Sequence, residues 1–309
     1  MNRSVSSLGF GGLRLVAKGP VLHLVEAAIA FLGTVAFVGP SGDFPLNDDW
    51  AYAFATRTLI ASGTWQPTTW PAMPHISKAL WAAPICAAST CNFDDLRLTT
   101  LLASLVLLLA IFLLLNLSRR GNPVLLAAMV LVTFNPIAYT LSFTFMTDIL
   151  FSALITISAL LFIISLKRDS VVLVVFGTVV ALAATLSRQL GLCVPLAYFV
   201  VQLMTTKSRQ KLIPAVVPLL ICTVSLVLLD GWLWLIDRTP AHPAEIGMVS
   251  ILTSPVSAML RVWLNLVTVL LYDGLFSLPL LLLTRPPLLM RCPHRSAGFH
   301  SPSLRALSS

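Results

Sequence analysis

Apolar runs near the ~20 residues needed to cross a bilayer core recur at 20–39, 99–117, 123–141, 148–166, 170–187, 190–206, 212–236 and 255–283. This recurrence restricts the fold more than any other feature, because in hydrocarbon a single chain satisfies its backbone polar groups only as helices or a closed barrel. The runs are continuous and lack the alternation of barrel strands. The expectation is therefore all-α: a polytopic transmembrane helix bundle of about eight spans. The composition agrees: 57% hydrophobic and 10% charged residues over 309 positions, with a mean hydropathy of +0.91, exclude a soluble globular domain.

The net charge of +8 points to topology rather than to nucleic acid, because the basic residues sit in short connections. Arg119 and Arg120, Lys167 and Arg168, Lys207, Arg209 and Lys211, then Arg285 and Arg291 occupy alternate connections. By the positive-inside rule these connections and both termini are cytoplasmic, in a multi-pass protein of the inner (plasma) membrane. Arg3, Arg14 and Lys18 precede a first run as long as a full span without a small-residue cleavage site, so it reads as a helix and not a signal peptide. Residues 1–284 form the expected membrane module. The basic, Pro- and Ser-rich segment 285–309 is expected to be a disordered cytoplasmic tail. Arg188 is the least regular boundary, since 170–206 also reads as one tilted helix plus a re-entrant piece.

The opposite connections carry the acids. The first outer loop, 40–98, holds Asp43, Asp48, Asp49, Asp94 and Asp95, and the last, 237–254, holds Asp237, His242 and Glu245. Within the first, "NDDWAYAFATRTLIAS" lacks Pro and Gly and ends at Gly63, which predicts a helix lying at the interface from Asp48 to about Ser62. Trp50, Trp65, Trp70 and Trp81 are expected at headgroup level. Cys86 and Cys91 share this loop and either pair, on an oxidising face, or remain thiols.

Each candidate group has a local structural use beside a chemical one. Asn47 and the Asp48/Asp49 pair suit the start of a helix, as a cap and as carboxylates at the positive dipole end, stabilising by about 0.3–1 kcal/mol each. They equally suit a general base or metal ligand at the mouth of a membrane cavity. Asp148 is either a helix-start residue, with Thr147 or itself as cap, or an ionisable group kept at membrane depth for function. Arg188 lies on the outer face where topology does not require a cation, so it snorkels to headgroups or holds a lipid phosphate bidentately. In "WPAMPHISKALW", Lys78 suits an anionic donor and His75 a proton or a metal, unless His75 is simply packed. Glu26, with His23 one turn away, reads as helix packing, and Asp230 and Asp237 are weaker candidates.

An outer loop opening on an acidic pair, a second acid at the outer start of a later helix, a Lys in an aromatic, Pro-rich segment and the "SRQLG" turn resemble the membrane-embedded GT-C glycosyltransferases. The nearest branch is the protein mannosyltransferase and aminoarabinose transferase group, glycosyltransferase family 39, and the likeness covers roughly 20–205. The resemblance implies an inverting hexosyl- or pentosyltransferase of the cell envelope. It would take a sugar from a polyprenyl-phosphate-linked donor, dissolved in membrane lipid, to a glycan, lipid or protein acceptor on the extracytoplasmic face, with no nucleic acid involved. It assigns catalytic roles to Asp48 or Asp49 and Asp148, donor phosphate binding to Lys78 and Arg188, and accessory roles to His75 and Trp50. The family's "KPPL"-like segment is "KALW" here, and Ser77 stands where some members have an acid for a divalent metal. Against the family the chain looks shortened at its C-terminus, which keeps an inactive relative as an alternative. A transporter or lipid flippase is the other, and it predicts midplane charges and inverted repeats, neither of which is visible.

Overall fold

The computed structural model describes residues 18–71, 73–117, 122–205, 209–239 and 254–283, and among these every regular element is helical. In chain order they are α1 Lys18–Val38, α2 Asp49–Ser62, α3 Ile76–Ala88, α4 Phe93–Leu117, α5 Asn122–Thr133 and α6 Pro136–Ser142. There follow α7 Asp148–Arg168, α8 Val171–Thr185, α9 Cys193–Thr205, α10 Arg209–Leu235 and α11 Pro255–Leu283, with a 3₁₀ turn at Gln189–Leu192 between α8 and α9. The expected tail, His242 and Glu245 lie outside the described residues.

Four segments are long and apolar enough to cross a membrane: Val21–Val38, Phe93–Leu117, Asp148–Arg168 and Leu212–Leu235. A fifth arises if Val124–Thr133 and Pro136–Ser142, which meet at a 52° bend, count as one. Length and composition thus support four or five spans among the described residues, and the expected eight is not confirmed. The expected continuous span 123–141 breaks at Pro136, whose ring cannot continue the preceding helix. Asn135 restarts it, its side chain accepting from the backbone N–H groups of Ile137 and Ala138 at 3.0 and 3.1 Å. The stretch 170–206 resolves into α8, the 3₁₀ turn and α9, so it is no single tilted helix.

The bundle is built outward from α7, which packs on both α4 and α8, while α10 packs on α8 and α9 and α1 on α4 and α5. Small residues bring the partners together. Gly177 receives the Phe162 ring 3.0 Å from where a Cβ would stand, and Ser158 donates to the Gly177 carbonyl at 2.9 Å. Phe162 stacks on Tyr198 with centroids 4.4 Å apart, closing a core with Val174, Ala181, Ala215 and Cys222. In α1, His23 reaches Glu26 at 3.1 Å, and the Glu26 side chain stays half exposed.

α2 and α3 form the outer layer. Ala51, Ala53 and Ala55 of α2 and Ala79 and Ala82 of α3 are wholly or nearly wholly buried, so the two helices approach through side chains of one carbon. Their core joins Tyr52, Phe93, Leu96 and Phe145 to the Cys86–Cys91 disulfide, which the structure forms. α2 ends as expected: Gly63 adopts φ 68° and returns its N–H to the Leu59 carbonyl at 2.9 Å.

The loop before α2 is tied to the start of α4. Asp94 accepts from the Gly42 N–H at 2.8 Å and Asp43 from the Phe93 N–H at 2.9 Å. Buried Arg97 donates to the carbonyls of Gly42 and Phe44 at 2.6 and 2.5 Å. Asp43 and Asp94 therefore spend their charge on architecture, and the acids left for chemistry are fewer than the loop's composition suggests.

Candidate active site

The acidic pair separates into two environments one residue apart. Asp49 is wholly buried; its Oδ2 accepts from the Leu46 N–H at 3.4 Å, while Oδ1 has no hydrogen-bond partner. Burial pushes its carboxyl upward, opposed by the backbone amides of Phe145 and Leu46 and by the charges of Arg97 and Lys78. Asp48 stays partly exposed and accepts from Trp70 Nε1 at 3.0 Å. The capping expectation fails here: Asn47 sits at φ 55°, Asp48 occupies the N-cap position, and neither makes a side-chain cap hydrogen bond. Asp48 is drawn to the indole instead, and Trp70 lies 6.2 Å from Trp50 between ring centroids.

Asp148 and Arg188, 40 positions apart in sequence, meet as an ion pair of 2.9 Å between Oδ1 and Nη1. Arg188 Nε also donates to Thr147 Oγ1 at 3.0 Å. Asp148 opens α7, yet neither it nor Thr147 makes a side-chain cap hydrogen bond to the helix. The carboxylate is committed to the guanidinium, and the pair remains about a fifth to a quarter exposed, within reach of a ligand. Arg188 is presented by extended backbone, φ −153°, between the end of α8 and the 3₁₀ turn. The break that the sequence left ambiguous is what aims it.

Lys78 lies deeper. It is fully buried, donates from Nζ to Thr100 Oγ1 at 2.6 Å and sits 4.5 Å above the Phe145 ring centroid. Burial pushes its amine down to about 7, against the opposing pull of Asp49 and Asp148. Tyr52 joins the groups: burial and the Asp48 charge push its phenol up to about 12, with Arg188 opposing and Asp148 reinforcing. Asp48, Asp148, Arg188 and Tyr52 thus share one electrostatic neighbourhood, with Asp49 and Lys78 buried beside it.

His75 is held apart from these charges. Its Nδ1 lies 2.8 Å from the Met73 carbonyl, and its ring is flanked by Tyr52 and Trp65, each at 5.1 Å between centroids. Burial depresses its imidazole to about 4, so the ring is neutral near pH 7. Trp65 departs from the expected belt, since it turns inward and stacks on Trp232 at 5.8 Å. Trp50, Trp70 and Trp81 remain exposed, as headgroup contact requires.

The residues around Lys78 do not fit the divalent metal that the resemblance admitted. Ser77 donates its hydroxyl to the Ala183 carbonyl at 2.6 Å, where it anchors α3 to the end of α8. The nearby cation of Lys78 opposes a metal in the same place, and the described residues bring no three His, Cys, Asp or Glu side chains together as ligands.

Sequence reasoning missed Arg97, Thr147, the Trp70 bond to Asp48 and the inward turn of Trp65. Arg97 carried a signal: like Arg188 it is a cation in a segment expected on the outer face, in "DDLRLTT", where positive-inside topology does not call for one. Thr147 carried none, because a hydroxyl at a helix start reads as a cap.

A family model described as dolichyl-phosphate-mannose-protein mannosyltransferase matches residues 80–234, half of the chain. The chain belongs to this glycosyltransferase family. The match takes in Asp148 and Arg188 and begins after Asp48, Asp49, His75 and Lys78, so the outer-loop half of the site rests on the structure alone. No curated protein and no solved structure matches the chain. Membership in a mannosyltransferase-type family agrees with an all-helical membrane protein whose charged groups gather at one end of the bundle.

Proposed function

We propose that this membrane glycosyltransferase transfers a sugar, with inversion, from a polyprenyl-phosphate donor to an acceptor on the extracytoplasmic face. The observation that carries the reading is the partly exposed Arg188–Asp148 ion pair facing the Asp48 neighbourhood, with Lys78 buried behind it. A lipid-linked donor needs no nucleotide-binding fold, because its tail stays in the bilayer while its phosphate meets a cation at the surface. The Cys86–Cys91 disulfide supports placing this face toward an oxidising compartment.

We assign the roles within the acidic pair from their surroundings. A general base must touch the proton it takes, so Asp48, partly exposed and oriented by Trp70, removes the acceptor proton as the acceptor attacks the anomeric carbon. Arg188 receives the phosphate whose bond to that carbon breaks, and Asp148 and Thr147 hold its fork in place. Asp49 balances Lys78 and Arg97 in the buried layer, and Lys78 adds a positive field behind the phosphate. The acceptor, which supplies the proton and the new bond, is a hydroxyl or amine of a glycan, lipid or protein.

Transfer from a lipid-linked sugar donor tests this directly. Asp48→Asn is expected to lower kcat by about 10²–10⁴ while donor binding persists, the range for loss of a positioned base. Arg188→Ala is expected to weaken donor binding itself. Undiminished transfer by the Asp48→Asn/Asp49→Asn double variant overturns the mechanism.

A further inference from the structure

Beside the ion pair, a recess opens between the segment Trp65–His75 and the C-terminal end of α10. Trp65, Thr68, His75, Gln189, Asp230 and Arg238 contribute to its lining, and it encloses about 30 Å³. Three of its side-chain atoms, Trp65 Nε1, Thr68 Oγ1 and His75 Nε2, are buried without a hydrogen-bond partner in the chain. Only three other buried side-chain atoms among the described residues share that condition, and they are scattered over Asp49, Arg97 and Ser187. Buried polar atoms are normally paired, so their convergence on one recess points to a ligand. His75 is 1% exposed, so its unpaired nitrogen is a built feature and not a surface accident.

The donor and acceptor pattern selects the ligand's chemistry. The Met73 carbonyl only accepts, so at 2.8 Å it fixes the His75 proton on Nδ1 and leaves Nε2 of the neutral ring as an acceptor. Trp65 Nε1 only donates, and the Thr68 hydroxyl does both. A phosphate would face the lone pair of His75 and the Asp230 carboxylate, and a cation would face an indole N–H and the Arg238 guanidinium. Neutral hydroxyls, each a donor and an acceptor, satisfy all three atoms. Trp65, stacked on Trp232, adds the apolar wall against which the carbon face of a sugar packs. The volume admits about two water-sized groups, which suits the edge of a pyranose and not the whole ring.

The recess is joined to the ion pair through Met73, whose carbonyl holds His75 and whose Sδ accepts from Thr147 Oγ1 at 3.6 Å. Thr147 in turn accepts from Arg188 Nε, and Gln189 of the recess directly follows Arg188. We infer that this recess is the sugar-recognition subsite, taking two ring hydroxyls of a donor whose phosphate lies on Arg188. The inference rests on the donor reading above and deepens it.

Equilibrium binding to the full chain in lipid nanodiscs tests it, with radiolabelled dolichyl phosphate and its mannosyl, glucosyl and galactosyl forms as probes. At least one sugar-bearing lipid is expected to bind more tightly than dolichyl phosphate. Trp65→Phe, which keeps the ring and drops the N–H, and Thr68→Val are each expected to remove about tenfold of that preference, the equivalent of one lost hydrogen bond. Both should leave dolichyl phosphate affinity unchanged, whereas Arg188→Ala should weaken all four lipids. Wild-type preference retained in both variants, or no sugar preference for any of the three, means that the recess holds water only and overturns the subsite. Failure of dolichyl phosphate to bind, or equal binding by Arg188→Ala, strikes the donor reading and the subsite with it.

Discussion

At the scale of single residues, the site uses burial to set charge. His75 shows the consequence most simply, because its imidazole is depressed from the usual 6.5 to about 4 by desolvation. Between those values the unfolded chain binds a proton that the folded chain refuses, so stability falls as the pH drops from about 6.5 toward 4. The full effect is about 3 kcal/mol by the conversion of pKa difference to free energy. His75→Gln should flatten that limb: its thermal unfolding midpoint in detergent is expected to vary less between pH 7 and 4 than the wild type's. Asp49 is common to both proteins, so its raised carboxyl cancels in the comparison. Parallel curves would show that His75 is not held neutral by the fold. The sequence made His75 a candidate through its Pro- and Trp-rich surroundings, and it nominated Asp48, Asp49, Asp148 and Arg188 through topology. It could not separate Asp48 from Asp49, since adjacent helix-start residues differ only in which way the chain turns, and Asn47 at φ 55° decides that turn.

At the scale of elements, the decisive unit is the break between α8 and α9. Apolar length reads 170–187 and 190–206 as two spans but also admits one tilted helix plus a re-entrant piece, because the interruption is made by tertiary contact and not by proline at the break. Gly191 is that contact: a Cβ on it would meet the Thr185 backbone nitrogen at 2.4 Å and the Ala184 carbonyl carbon at 2.6 Å. Backbone cannot rotate aside as a side chain does, so Gly191→Ala must push the 3₁₀ turn away from α8 and shift Arg188 with it. The expected cost is about 1–3 kcal/mol of stability, typical of overpacking, together with weakened donor-phosphate binding. Gly33→Ala in α1 is the control. No atom stands within 4 Å of its added methyl, and removing a mid-helix glycine should stabilise by about 0.5–1 kcal/mol. Thermal unfolding of both variants, with dolichyl phosphate binding beside it, checks the pair; a Gly191→Ala protein indistinguishable from Gly33→Ala would remove the turn from the site. Elsewhere an element was legible where its local signal was used, as at Gly63 closing α2, and was missed where it was not, as at Pro136, which bends a run expected to be continuous.

At the scale of the whole molecule, two independent features at opposite ends of α7 predict one orientation. Asp148 opens this 21-residue helix beside Arg188, and Lys167 and Arg168 close it, a rise of about 30 Å. That is the thickness of a hydrocarbon core, so α7 as a span would put its two ends in different compartments. The basic end calls for the cytoplasm by the positive-inside rule. The acidic end shares its face with the Cys86–Cys91 disulfide, which persists where the surroundings oxidise. Both features give the same orientation, although one rests on charge and the other on redox chemistry. In intact cells a membrane-impermeant maleimide should therefore modify a cysteine introduced at Thr90 or Ser62, and should modify one introduced at Asp169 only after permeabilisation. The background for these tests is the chain with Cys193, Cys222 and Cys292 replaced by Ala. The reverse labelling pattern would place the ion pair on the cytoplasmic side, where it could not meet a donor presented at the outer leaflet. Because Asp48, Asp148 and Arg188 share one end of the bundle, a single inversion would move them all together.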